Sequence, residues 1–325
     1  MRPVLLLSVS LPLLLGGCGE KSSSEGSESA TENPTATIEG VKPKLKHEIK
    51  GDEVTITDCD RAATGELIIP DTIEGNPVTS IGNGAFTYCA MLKSITIPDS
   101  VTSIGSNAFE SCRNLTSITI PDGVTSIEES AFWNCERLTS ITIPESVTSI
   151  GTAAFRACVG LTSITIPESV TSIGTAAFRT CVDLTSITIP DSVTSIGQGA
   201  FSSCSSLTSV TIPDGVTSIG EGTFGECTSL TSVTIGNSVT SIGNGAFYEC
   251  SNLTGITIPD GVTGIRRRAF RDCRSLTTVT FLGDAPKAGE EVFINATPTI
   301  YRNPEAKGWG DTFAGRPVKL ISEKP

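Results

Sequence analysis

The stretch LTSITIPESVTSIGTAAFRAC, residues 138–158, returns as LTSITIPESVTSIGTAAFRTC, residues 161–181. The two copies differ only at Ala157 and Thr180, and they start 23 residues apart. The same spacing separates nine of the eleven cysteines: Cys89, Cys112, Cys135, Cys158, Cys181, Cys204, Cys227, Cys250 and Cys273. A phenylalanine stands three residues before each of them. A fixed period of this length predicts a solenoid, in which each repeat forms one coil.

One coil, residues 115–137, shows how the repeat is expected to fold. Ile118 and Ile120 alternate with polar residues, which predicts a short strand with these two side chains inward. Pro121-Asp122-Gly123 predicts a turn, and a second short extended segment follows at 124–127. The spacing of Ala131, Phe132 and Cys135 fits one face of a helical turn. We therefore predict an α/β solenoid whose 23-residue coils contain short strands and a helical turn.

The repeat resembles a known family. Leu115-x-x-Ile118-x-Ile120 is similar to the strand of a leucine-rich repeat, although Gly123 stands where the common pattern has asparagine or cysteine. The full pattern L-x-x-I-x-I-P-x-x-V-x-x-I-x-x-x-A-F-x-x-C resembles the BspA-like bacterial surface repeats. This resemblance implies extracellular adhesion or protein interaction. It implies no catalytic residues, so we expect a protein that is not an enzyme.

The ends of the repeat region predict caps. We place an N-terminal cap at 38–63, with a strand at 53–57, and the solenoid at 64–282. The period is expected to stop after Phe281, and 283–325 would form a C-terminal cap. The aromatic side chains of that cap are expected to cover the last coil: Phe293, Tyr301, Trp309 and Phe313. Tyr301 and Trp309 are alternatively a platform for a ligand.

The N-terminus predicts export. Residues 1–17 are short and apolar behind Arg2, as in a secretory signal peptide. Leu15-Gly16-Gly17-Cys18 resembles a bacterial lipobox, which implies that Cys18 is the lipid attachment site. The Ser/Glu-rich stretch 18–37 cannot build a core and suits a flexible tether. We therefore expect a protein of the bacterial cell envelope, surface-exposed or facing the periplasm, that meets the membrane only through its lipid anchor.

The amino-acid composition limits which classes of partner and ligand are expected. The formal net charge of −12 argues against nucleic acid. His47 is the only histidine, and the repeat cysteines come one per coil, so we expect no metal site and no cofactor. Those cysteines are expected to form a buried column of free thiols. A second column of turn carboxylates, including Asp122 and Glu145, is either a solvated rim or a divalent-cation site.

Two features remain as candidate binding surfaces. The outward strand positions form a ladder of hydroxyls: Ser117, Thr119, Ser140, Thr142, Ser163, Thr165, Ser186 and Thr188. The second is an arginine cluster, Arg266, Arg267 and Arg268, which suits an anionic glycan or an acidic partner, or is a solvated face. A periodic face fits a repeating or multivalent partner, so we expect an extracellular protein or polysaccharide. The alternatives are binding to an ice-like lattice by the hydroxyl ladder, or a structural spacer of the envelope without a ligand.

Overall fold

The computed structural model describes residues 44–324. The predicted signal peptide, Cys18 and the tether lie outside the described residues, as do residues 38–43 of the predicted N-terminal cap. The described chain forms the expected solenoid, and consecutive coils pair through parallel strands at a spacing of 23 residues.

The first strand of each coil contributes to one side of the solenoid, which we call the strand face. Its members are Gly65–Ile68, Leu92–Thr96, Ser117–Thr119, Ser140–Thr142, Ser163–Thr165, Ser186–Thr188, Ser209–Ile212, Ser232–Ile235, Gly255–Ile258, Thr278–Phe281, Thr299–Arg302 and Arg316–Leu320. As predicted, the strands from Leu92–Thr96 to Gly255–Ile258 bury the alternating apolar positions, such as Ile118 and Ile120, and leave the residues between them at least partly exposed.

The second extended segment of each coil forms what we call the second sheet. Its members are Glu53–Cys59, Asn76–Ile81, Ser103–Ile104, Ser126–Ile127, Ser149–Ile150, Ser172–Ile173, Ser195–Ile196, Ser218–Ile219, Ser241–Ile242, Gly264–Ile265 and Lys287–Ala288. Three further strands run antiparallel to a neighbour at the ends of the molecule: Leu45–Lys50, Thr72–Ile73 and Thr312–Phe313.

The core consists of columns, because equivalent side chains of successive coils lie one above the next. The phenylalanines from Phe86 to Phe270 are fully buried, and their rings stack with centroids 5.3–5.6 Å apart. A single coil has nothing to cover its upper and lower surfaces, so its apolar side chains are buried only by stacking on both neighbours.

The predicted helical turn is wrong. Residues 44–324 contain no helix beyond the 3-10 turn Ile321–Glu323, and none of their helices could span a membrane. In the coil of Phe132, the amides of Ala131, Trp133 and Cys135 each donate to the carbonyl three residues earlier in the same coil. The intervening amides of Ser130, Phe132 and Asn134 instead donate to carbonyls of the next coil, 2.8–2.9 Å away. In an α-helix every amide donates to the carbonyl four residues earlier in the same segment. Because every second amide here donates to another coil, this segment is not an α-helix.

This alternation of hydrogen bonds requires two residues per coil with left-handed backbone conformation (positive φ), four positions apart. Ser130 and Asn134 take φ values of 55° and 62°. Glycine fills the first of these positions in some coils, as at Gly199 and Gly222, but Ala153 and Ala176 fill it with φ 53°. A left-handed alanine costs about 1–2 kcal/mol, and the bonds to the next coil offset that cost.

The thiol column is confirmed, and it does more than fill space. All ten cysteines within residues 44–324 are free and buried. From Cys112 to Cys273, each thiol donates to the carbonyl of the phenylalanine 26 residues earlier, as Cys158 Sγ does to Phe132 O at 3.1 Å. Burial raises the pKa of Cys158 and of Cys204 to about 12. These thiols are therefore protonated donors that link neighbouring coils.

The period does not stop at Phe281, contrary to our expectation. Phe293 stacks on Phe270 at 5.7 Å, and Ala296 is buried 23 residues after Cys273. Strand Thr299–Arg302 continues the strand face beside Thr278–Phe281. One further coil therefore forms inside the predicted C-terminal cap, with alanine in the place of cysteine.

The same hairpin occurs near both ends. Residues 71–78 (DTIEGNPV) and 311–318 (DTFAGRPV) share Asp-Thr, Gly and Pro-Val. In each copy the valine amide donates to the aspartate carbonyl at 2.9 Å, and the glycine of the turn is left-handed. Val78 follows Pro70 by eight positions, whereas Val101 follows Pro98 by three, and the five extra residues of the first coil lie within the first copy. The second copy closes the C-terminal end. Strand Leu45–Lys50, which we did not predict, pairs with Glu53–Cys59.

The second sheet is interrupted twice, after Ser103–Ile104 and after Ser195–Ile196. At four continuous junctions a serine Oγ donates to the valine carbonyl of the preceding coil, as Ser169 does to Val147 O at 2.6 Å. Gly123 and Gly215 occupy that place at the interruptions. Gly261, and Ser238 without such a bond, occupy it beside continuous ladders, so absence of the serine bond is not sufficient to break the sheet.

Candidate functional site

The predicted hydroxyl ladder forms a continuous exposed surface. Parallel pairing puts Ser117 beside Ser140 and Thr119 beside Thr142, and the next coils continue both rows. All eight predicted residues from Ser117 to Thr188 are exposed. The strand pleat explains this, because their neighbours Ile118, Ile141, Ile164 and Ile187 point into the core.

The hydroxyl rows of the strand face differ in their bonding. The row of Thr116, Thr139, Thr162 and Thr185 lies before each strand, and its hydroxyls donate to carbonyls of the preceding coil at 3.1–3.5 Å. The predicted ladder residues donate to no described residue. Their hydroxyls therefore keep both donor and acceptor capacity for a partner.

The ladder has definite ends. At its N-terminal end the Thr row continues into Ile68, which pairs with Thr96 and is 73% exposed. At its C-terminal end Thr280 is buried, and Lys324 Nζ lies 3.4 Å from its hydroxyl. The exposed Thr row thus extends from Thr96 to Thr257.

The C-terminal aromatic residues form a cap rather than an open platform. Tyr301 is only 5% exposed within strand Thr299–Arg302, so its ring offers no face to a ligand. Trp309 is half-buried; its ring packs 4.9 Å from Phe281 and 5.3 Å from Phe313, and its Nε1 donates to Gly283 O at 3.3 Å.

The arginine cluster is largely neutralised. Glu291 lies against Arg268, against Arg271 Nη1 at 3.3 Å and against Arg267 Nη2 at 3.6 Å. The hydrogen bond from Arg268 holds the pKa of the Glu291 carboxyl below its ordinary value. Arg266 is exposed and makes no ion pair within residues 44–324. The predicted cationic surface is therefore a mixed-charge network with one unpaired arginine.

The turn carboxylates line the rim as the sequence predicts. Asp122, Glu145, Glu168 and Asp191 are exposed, one per coil. No cluster of three or more His, Cys, Asp or Glu side chains suited to a metal ion occurs in the described part of the chain. The solvated rim is the simpler interpretation, because Ca²⁺ prefers six to eight oxygen ligands around one point.

The turn side of the solenoid is formed by the turns around the column phenylalanines, such as residues 128–135. It carries a hollow that the sequence analysis did not predict. The residue after the column phenylalanine is large and at least partly exposed in the coils at Trp133, Arg156 and Arg179. Ser202 and Gly225 follow in this row, and then Tyr248. A hollow of about 370 Å³ opens at that gap, lined by Ser202, Glu221, Gly222, Gly225, Glu226, Asn244, Gly245, Tyr248, Arg267 and Arg268. The signal was available as a gap in a row of large side chains.

Comparison with known proteins supports the repeat assignment. A family model described as the BspA type leucine rich repeat region matches six copies over residues 66–185 and 171–299. A search of curated proteins found no match.

Several solved structures are similar. A leucine rich repeat protein of T. pallidum is 30% identical, covers 64% of this chain and 87% of its own, and has a TM-score of 0.47. A leucine rich cell surface protein from Faecalibacterium prausnitzii is 29% identical, with coverage of 80% and 93% and a TM-score of 0.46. The pneumococcal vaccine antigen PcpA is 20% identical, with coverage of 82% and 87% and a TM-score of 0.46.

The family match extends past Phe281 to residue 299, which agrees with the additional coil around Phe293. It covers more than half of the chain and follows the same 23-residue coils that the structure shows. The chain therefore belongs to the BspA type leucine-rich repeat family.

Proposed function

We propose that this protein is a surface-displayed interaction module, held to the bacterial envelope by a lipid on Cys18, that binds an extracellular protein or polysaccharide through its strand face. The observation that carries the proposal is the ladder of exposed hydroxyls, which donate to no residue within 44–324 and repeat in register from coil to coil. The adhesion and interaction roles implied by the family are consistent with it.

A periodic surface favours a periodic partner. Each coil presents the same Ser and Thr hydroxyls, so no single place on the ladder has a unique set of unlike groups. Affinity then grows with the number of coils engaged, because each added contact is made at high effective concentration. An ice-like lattice would need a flat array, whereas leucine-rich repeat solenoids usually curve.

The binding test removes hydroxyls while keeping shape. Thr142→Val, Thr165→Val and Thr188→Val in one protein should weaken capture of surface-extract proteins or polysaccharides at least 10-fold. Valine preserves volume and strand preference, so the hydroxyls are the main loss. The control is Thr125→Val, Thr148→Val and Thr171→Val, which come directly before strands of the second sheet. Thr148 and Thr171 donate hydrogen bonds of 3.3 Å, so thermal melting checks that this variant is folded. Equal capture by both triple variants would contradict the proposal.

The anchor is tested separately. Cys18→Ala should release the protein from the membrane fraction into the soluble fraction. Mass spectrometry of the mature N-terminus should find diacylglyceryl-modified Cys18 in the parent protein. An unmodified Cys18, or a mature start at another residue, would refute lipid anchoring without affecting the binding proposal.

A further inference from the structure

We propose that the hollow between Arg179 and Tyr248 on the turn side is a second binding site, which takes one or two pyranose units of a neutral glycan. It rests on the proposed interaction role but lies outside the strand face. The hollow exists because two consecutive coils carry Ser202 and Gly225 at a position where the coils on either side carry Arg179 and Tyr248.

The dimensions suit a sugar. Arg179 and Tyr248 stand three coil steps apart, at 5.4–5.6 Å per step along the phenylalanine column. The volume of about 370 Å³ is within the range of small-ligand sites, roughly 300–1,000 Å³.

One wall is aromatic and the others are polar. The half-buried Tyr248 borders the hollow, and pyranose rings pack their C–H faces on such side chains. Glu221, Asn244 and Arg267 supply planar carboxylate, amide and guanidinium groups, which can each engage a pair of adjacent hydroxyls.

The charges favour a neutral ligand. Glu221 and Glu226 line the hollow together with Arg267 and Arg268, so neither sign dominates. Arg268 is moreover engaged by Glu291. A strongly anionic or cationic ligand would meet a like charge on one wall.

The structure also provides a way to fill the hollow without disturbing the fold. Gly225 does not have positive φ, and a Cβ added there would meet its nearest atom, Gly222 O, at an ordinary 3.4 Å. Arginine is already accommodated at the equivalent positions Arg156 and Arg179. Gly225→Arg should therefore fold normally while closing the hollow.

The experiment uses an array of immobilised neutral oligosaccharides (glucan, galactan, mannan and N-acetylglucosamine series), followed by calorimetry with the best binder. Gly225→Arg and Tyr248→Ala should each weaken binding at least 10-fold. Arg179→Ala, beyond the hollow, should bind within about 2-fold of the parent, and the strand-face triple valine variant is measured beside it as the alternative site. Should Gly225→Arg fail to fold, Tyr248→Ala still tests the site.

Three results would overturn the proposal: no neutral oligosaccharide bound by the parent protein, full binding by Tyr248→Ala, or binding lost only in the strand-face variant. The last result would support the strand face as the glycan site. If Gly225→Arg abolishes capture of a protein but no sugar binds, the hollow is a protein site and the ligand class is wrong.

Discussion

Coils 138–183 and coil 207–229 are built from the same repeat, yet they are joined to their neighbours differently. In the first region both sheets run without a break, and Ser169 bonds to the coil before it. Where coil 207–229 meets the coil before it, neither sheet continues as a ladder. Coil 207–229 also carries Gly215 for serine and the buried Thr223 in the alanine column, and the Thr223 hydroxyl has no partner.

The turn side does not share this difference. Across the same junction the amides of Gly199, Phe201 and Ser203 donate to the next coil at 2.7–2.9 Å. Cys227 Sγ still reaches Phe201 O at 3.2 Å, as its counterparts do in the regular coils. The turn-side bonds and the thiols are thus the constant connection between coils, and the sheets are the variable one.

The largest expected effect comes from breaking the register. Deleting 161–183 removes one whole coil and preserves every column, so the protein should remain folded with cooperative melting. Deleting 161–172 should prevent folding, because Phe178 and Cys181 would leave their columns. Circular dichroism and thermal melting of both proteins check this. A collapsed whole-coil deletion beside a stable partial deletion would contradict the 23-residue unit.

Removing the chain from Gly283 onward extends the same test to the end of the solenoid. It deletes the coil of Phe293 and exposes Phe270, which is fully buried in the intact protein. This protein should aggregate, as size-exclusion chromatography would show.

The second effect acts on the turn side, which both regions share. Cysteine has an ordinary pKa of 9.0, and burial raises the pKa of Cys112, Cys158, Cys204 and Cys273 to about 12. The folded protein then holds protons that the unfolded chain releases. Stability should be intact below pH 9 and fall as the pH rises from about 9 towards 12, by up to roughly 1.4 kcal/mol per thiol per pH unit.

Urea unfolding between pH 7 and 10.5 measures this loss. Cys158→Ala is the control: it should cost about 1–3 kcal/mol at pH 7 and make the alkaline slope shallower by one thiol. Ala296, which occupies the same place in the last coil, indicates that alanine is tolerated. A free energy of unfolding that does not change from pH 8 to 10.5 would show that the thiols are not buried as protonated donors.

The smallest effect recreates the sheet interruption inside the regular region. Ser169→Gly removes the bond to Val147 O and adds backbone freedom, so it should cost about 1–2 kcal/mol. Hydrogen exchange at residues 170–174 should accelerate toward the rate at 216–220. Ser172→Ala, at an outward position of the same sheet, should change neither quantity. Unchanged exchange in Ser169→Gly would mean that the serine bond does not hold the sheets together.

Periodicity was sufficient to predict the strands and the core columns, because each inward position recurs with one residue type. The helical turn was wrong for a physical reason. The spacing of Ala131, Phe132 and Cys135 fits a helix and a chain of turns equally, and only the neighbouring coil determines where the alternate amides donate. The coil of Phe293 was missed because Ala288 and Ala296 replace the isoleucine and cysteine that mark the pattern.

The candidate binding surfaces could also be predicted only in part. The exposed ladder follows from strand alternation, so Ser117 to Thr188 could be placed without coordinates. The ion pairs of the arginine cluster could not, because Glu290 and Glu291 come from the next coil. The hollow is open because Gly222 and Gly225 have no side chains. A sequence analysis that looks for reactive or charged side chains does not detect such positions.

The antiparallel strands at the two ends affect how molecules can associate. Every coil-to-coil pairing is parallel, so a stack of coils with open ends could accept another molecule head to tail and grow into a filament. Leu45–Lys50 ends the second sheet on one side, and Thr312–Phe313 ends the strand face on the other, each running against the direction of the coils. Each end of the solenoid therefore has one sheet closed by an antiparallel strand, so neither end repeats the pair of parallel edges that one coil offers the next. This arrangement disfavours head-to-tail stacking of two molecules in register.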